Sequence, residues 1–68
     1  MSRTLVGTVE VRGTRAVCVR PDGRVHPGTF PCFGGLRRYD AGKRIYLVGG
    51  VHQIENDAQL AARRAAQA

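Results

Sequence analysis

The feature that most limits what this chain can fold into is the run Lys43-Arg44-Ile45-Tyr46-Leu47-Val48-Gly49-Gly50. Four consecutive large apolar residues, β-branched and aromatic in character, do not suit a strand with one face in water. They suit a strand covered on both faces, in the middle of a small sheet or barrel. A main strand is therefore expected from Lys43 to Val48, ending at the paired glycines.

Upstream, Thr4 to Arg12 alternates. Leu5, Gly7, Val9 and Val11 share one face, and Thr8, Glu10 and Arg12 the other, the pattern of a half-buried strand. Gly7 inside it points to a bulge or bend where the sheet curls. A second strand, Arg15 to Arg20, follows Gly13-Thr14. As a two-residue type II′ loop, Gly-Thr sets Val9 opposite Cys18 and Val11 opposite Ala16. A three-residue loop would instead pair Val11 with Val17 and Val9 with Val19, a better apolar match with poorer turn chemistry. The two differ by a one-residue slip, which turns a strand over.

Arg20-Pro21-Asp22-Gly23-Arg24 is a tight reversal: Pro fixes φ, Asp bonds its own backbone and Gly takes a positive φ. A short strand is expected at 24–26. Residues 27–35 are irregular, with Phe30 and Phe33 expected to anchor that loop, and 36–39 read as another short strand before the Asp40-Ala41-Gly42 turn. A further short strand or turn is expected at 51–54. The pattern apolar-Gly-Gly-apolar-polar-polar-apolar-acid occurs at 33–40 and again at 48–55, a faint internal repeat. A helix is expected from about Asp57 to Gln67, with Asn56 as N-cap and Gln59 in capping-box position. Leu60 is its only large apolar residue, so it docks weakly or frays.

The expected fold is mainly β: a small, strongly bent antiparallel sheet or barrel, SH3-like or OB-like, of about five strands with one C-terminal helix. Residues 1–54 form the β-domain and 55–68 the helix. At 68 residues a chain buries only about 60% of its unfolded surface. Carving a substrate cavity would empty its core, which argues against a monomeric enzyme.

Charge is the main functional signal. Eleven basic residues face five acidic ones, for a net charge of +6. The segment 55–68 is balanced, so the surplus lies upstream and would attract nucleic acid or an acidic protein surface. Ten of the eleven cations are arginine, beside much alanine and glycine, a composition that GC-rich codons alone would also produce. The candidate interface is Arg37, Arg38, Tyr39, Lys43, Arg44 and Tyr46, where cations would meet phosphates and tyrosines would stack on bases. The competing account makes these arginines solvated edge residues. Arg12, Arg15, Arg20 and Arg24 form a second basic set, and Arg63 and Arg64 would favour the negative end of the helix.

Cys18, His26, Cys32 and His52 are zinc-ligand types without local ligand spacing, so neither a metal nor another cofactor is expected. No orienting third group or phosphate-cradling glycine motif supports catalysis. The start of the chain lacks a secretory h-region and no run is long enough to span a membrane. A cytoplasmic protein with reduced cysteines is expected. The functional expectation is a non-catalytic nucleic-acid-binding module. The alternative is a protein-binding accessory or inhibitor module, of the sort mobile elements encode, that engages an acidic patch. A homo-oligomer is compatible with either.

Overall fold

The computed structural model describes residues 2–27 and 36–67. Four antiparallel strands, β1 (Thr4–Arg12), β2 (Arg15–Val19), β3 (Arg44–Val48) and β4 (Val51–Ile54), form one sheet in the order β2-β1-β3-β4. The sheet curls into a half-barrel, and α1 (Asp57–Gln67) follows it. The expected loop anchors Phe30 and Phe33, together with Cys32, lie outside the described residues.

β3 is an internal strand, as its apolar run requires, but it is not uniformly covered. Ile45 is fully buried, Tyr46 and Val48 are half-buried, and Leu47 is 37% exposed. Its strand pairing begins at Arg44, one residue later than expected.

The β1–β2 hairpin takes the two-residue register, with Val9 opposite Cys18 and Val11 opposite Ala16. Gly13 has a φ of +64°, and among the described residues none other than glycine has a positive φ, as a type II′ turn with Thr14 in second place requires. Turn geometry thus prevailed over the better apolar match, and Val17 lies on the outer face with Glu10. At Gly49-Gly50 both φ values are positive, +55° and +80°. This type I′ turn sets Val48 opposite Val51 and Ile45 opposite Ile54.

β1 serves two neighbours by bending. Leu5 pairs with Tyr46 but Gly7 with Ile45, so Val6 is the extra residue of a bulge. A methyl group on Gly7 would lie 2.5 Å from the Val19 carbonyl oxygen and 2.6 Å from Cys18 Sγ. The curl therefore needs glycine there. On the concave face Val9, Cys18 and Ile45 form the core, with Val6, Ala16, Leu36 and Ile54 packed against it.

Two expected strands are reduced or replaced. The segment 24–26 makes a single bridge, Val19 to Val25, with the His26 N–H donating to the Cys18 carbonyl at 2.7 Å. Residues Arg38–Asp40 form a 3-10 turn instead of a strand, because the Asp40 carboxylate accepts the Arg37 N–H at 3.1 Å and draws the chain into a turn. The described half of the first repeat copy is thus a 3-10 turn where the second copy is strand β4, so the echo is not a structural repeat.

The helix occupies its expected span and its cap is reciprocal. The Gln59 N–H donates to Asn56 Oδ1 at 2.8 Å, and the Asn56 N–H to Gln59 Oε1 at 2.9 Å. It docks through Leu60, which is buried, and through the ionic contacts described next. No helix among the described residues is long and apolar enough to cross a membrane.

Candidate nucleic-acid interface

The cations separate into those that hold the fold and those that face outward. Lys43 belongs to the first group. It is 7% exposed, and its ammonium lies 2.9 Å from Asp40 Oδ1 and 3.0 Å from Asp57 Oδ1. These two carboxylates raise its pKa, Asp40 most, against the opposing effect of burial. A cation so held ties the helix to the turn before β3 and is not available to a phosphate.

Arg63 is held likewise. Its guanidinium donates to Glu55 through Nη2 at 2.8 Å and Nε at 3.1 Å, and through Nη2 to the Gly42 carbonyl at 2.7 Å. Glu55 is 7% exposed and also accepts the Arg44 N–H at 2.6 Å. Its carboxyl is held below the ordinary range, chiefly by Arg63 and also by the Arg44 N–H, while burial opposes the shift. Arg63 is therefore not a solvated end charge but a fastening between helix, β4 end and turn.

The outward set follows from strand alternation. Thr8 pairs with Arg44 and Arg12 with Arg15, so Arg44, Tyr46, Arg12 and Arg15 share the outer face of the sheet. Arg3 joins them, its guanidinium 4.2 Å from the centroid of the Tyr46 ring. One acid sits among them: Glu10, 3.7 Å from Arg12, with both side chains about half exposed. Such a pair is worth little.

Of the six residues expected to form one cluster, the structure brings Arg44 and Tyr46 together on the outer face. Arg37, Arg38 and Tyr39 lie on the 3-10 turn. Tyr39 is 70% exposed, with the Arg37 guanidinium 5.9 Å and the Lys43 ammonium 5.8 Å from its ring centroid. Arg20 and Arg24 are opposed across the Pro-Asp-Gly turn, where the Arg20 N–H donates to the Arg24 carbonyl at 2.7 Å. Arg20 has the inward parity of Cys18, so this pair stands apart from Arg12 and Arg15. Arg3 is the residue sequence reasoning passed over. Alternation alone puts Leu5, and Arg3 with it, on the face of Val9; only the bulge at Val6 turns both outward, beside Tyr46.

No known family, characterised protein or solved structure matches the chain. The interface is accordingly read from its own chemistry.

Distant zinc-ligand types do meet, though spacing did not suggest it. The His26 and His52 rings are edge to face, 6.4 Å between centroids, across the concave side of the half-barrel. Cys18 is a buried free thiol whose pKa is raised by burial, with Arg20 acting in the opposite sense. Among the described residues no three His, Cys, Asp or Glu side chains are grouped to hold a metal ion.

Proposed function

We propose that the protein is a non-catalytic nucleic-acid-binding module that grips phosphates with the outer face of its sheet. The observation that carries this reading is the partition of charge. Three of the five carboxylates, Asp40, Glu55 and Asp57, are committed to Lys43 and Arg63. Nine arginines are then left against only Glu10 and Asp22, so the chain's surplus of +6 is carried by arginines outside those ion pairs. Asp22 itself caps the Arg24 N–H within its own turn at 2.9 Å.

Arg3, Arg12, Arg15 and Arg44 are the phosphate ligands in this reading, and Arg37 and Arg38 form a second patch around Tyr39. Backbone contacts of this kind carry no sequence information. With four phosphates neutralised, the affinity for a single strand falls with salt at a log–log slope of roughly −3. The module works in the cytoplasm, with Cys18 reduced.

Fluorescence anisotropy with labelled single- and double-stranded DNA and RNA at two salt concentrations tests the proposal. Binding at low salt that weakens with the stated slope supports it. Absence of binding to all four at low salt refutes it. A pull-down partner that survives nuclease treatment would then favour an acidic protein surface instead.

A further inference from the structure

The outer face carries more than charge at one point. Tyr46 stands half-buried on β3 beside a shallow cleft of about 40 Å³ lined in part by Val48, Gln53, Ile54 and Gln59. That volume has room for about one water, so no base enters it. The ring face is instead covered by the Arg3 guanidinium at 4.2 Å. A guanidinium plane is itself a stacking surface for a nucleobase, and the ring beneath holds this one in place. Gln53, opposite Tyr46 on the edge strand β4, brings an exposed amide to the rim. Tyr39 has no comparable arrangement, since its neighbouring cations lie nearly 6 Å away.

We propose that an unpaired nucleobase stacks on the solvent side of Arg3, completing a three-layer Tyr46–Arg3–base stack with Gln53 hydrogen-bonding the base edge. This rests on the nucleic-acid reading above and adds a strand preference to it. Bases inside a duplex are stacked on one another and offer no free face, so the ligand is single-stranded DNA or RNA. Any of the four bases presents a π-face, and the preference is for being unpaired, not for sequence.

The test compares three labelled ligands at one salt concentration: a single strand of about ten nucleotides, within the usual site sizes, the same strand made abasic, and its duplex. The wild-type protein is expected to bind the base-bearing strand about tenfold more tightly than the abasic one, the effect of one stacked base. Arg3→Lys keeps the charge but loses the plane. It should bring the ratio of base-bearing to abasic affinity to about one; any change in phosphate contact affects both strands alike and cancels in that ratio. Tyr46→Leu should do the same, with its circular dichroism checked against wild type. If Tyr46→Leu misfolds, the exposed Arg3→Lys variant decides alone. Equal wild-type affinity for base-bearing and abasic strands, or a ratio that survives Arg3→Lys, overturns the stack and leaves the phosphate reading standing. Failure to bind any ligand overturns the phosphate reading itself, and the stack with it.

Discussion

Replacing Glu55 with glutamine should do more damage than its place just after an edge strand suggests. The carboxylate receives the Arg44 N–H at 2.6 Å and the Arg63 guanidinium at 2.8 and 3.1 Å. Glutamine keeps the shape and one acceptor oxygen but removes the charge and sets an NH2 donor against either the Arg44 N–H or Arg63. The Arg63 side chain is only 19% exposed and is left with neutral acceptors, that oxygen and the Gly42 carbonyl. Breaking one side of a buried ion pair costs about 3–5 kcal/mol. The partial exposure of Arg63 places this case near the lower end, about 3 kcal/mol. In a domain of this size each kcal/mol moves the midpoint by roughly 4–8 °C, so Glu55→Gln should melt roughly 10–25 °C lower.

Urea denaturation followed by far-ultraviolet circular dichroism measures the loss, and amide exchange reports whether Leu60 to Gln67 opens first. A double-mutant cycle isolates the pair. Glu55→Gln with Arg63→Met should cost less than the two single changes summed, by roughly 1–3 kcal/mol. A Glu55→Gln loss below about 1 kcal/mol, or simple additivity in the cycle, would refute the argument that this contact fastens the helix.

Gly7→Ala should lose about 3 kcal/mol by thermal melting, because the new methyl meets Val19 backbone, which cannot yield without uncurling the sheet. Stability should be level across neutral pH and fall at both extremes. The depressed Glu55 pKa contributes stability that is complete above its ordinary value of about 4.5 and lost as pH falls through the folded value. The raised Lys43 pKa contributes stability that is complete below its ordinary value of 10.5 and lost as pH rises through the folded value. Urea midpoints at acid, neutral and alkaline pH check both signs. Arg44→Ala should reduce the salt slope of nucleic-acid binding by about one phosphate, whereas Arg20→Ala, of inward parity, should leave it unchanged; equal effects would contradict the assignment of faces.

Much of the local structure could be read from residue types because it depends on neighbours a few positions apart. Gly13-Thr14, Pro21-Asp22-Gly23 and Gly49-Gly50 are turns because their glycines take the positive φ that other residues resist. Asn56 and Gln59 bracket one helical turn and cap it reciprocally. Gly7 announced the bulge.

The candidate interface was less legible, since face and burial depend on pairing between distant segments. Lys43 and Arg44 are adjacent and alike in charge, yet one is enclosed by Asp40 and Asp57 while the other faces outward. Nothing in the local run distinguishes them. The segment 36–39 reads as a strand by composition, but the Asp40 carboxylate turns it.

What the amino-acid order settled by itself was the set of turns, the helix with its cap, and the apolar run that became the internal strand β3, all matters of short-range sterics and hydrogen bonding. What only the folded chain decided was the meeting of His26 with His52 and which cations bind carboxylates. Those depend on side chains brought together from up to 26 positions apart, at separations over which no residue's own propensity specifies a partner.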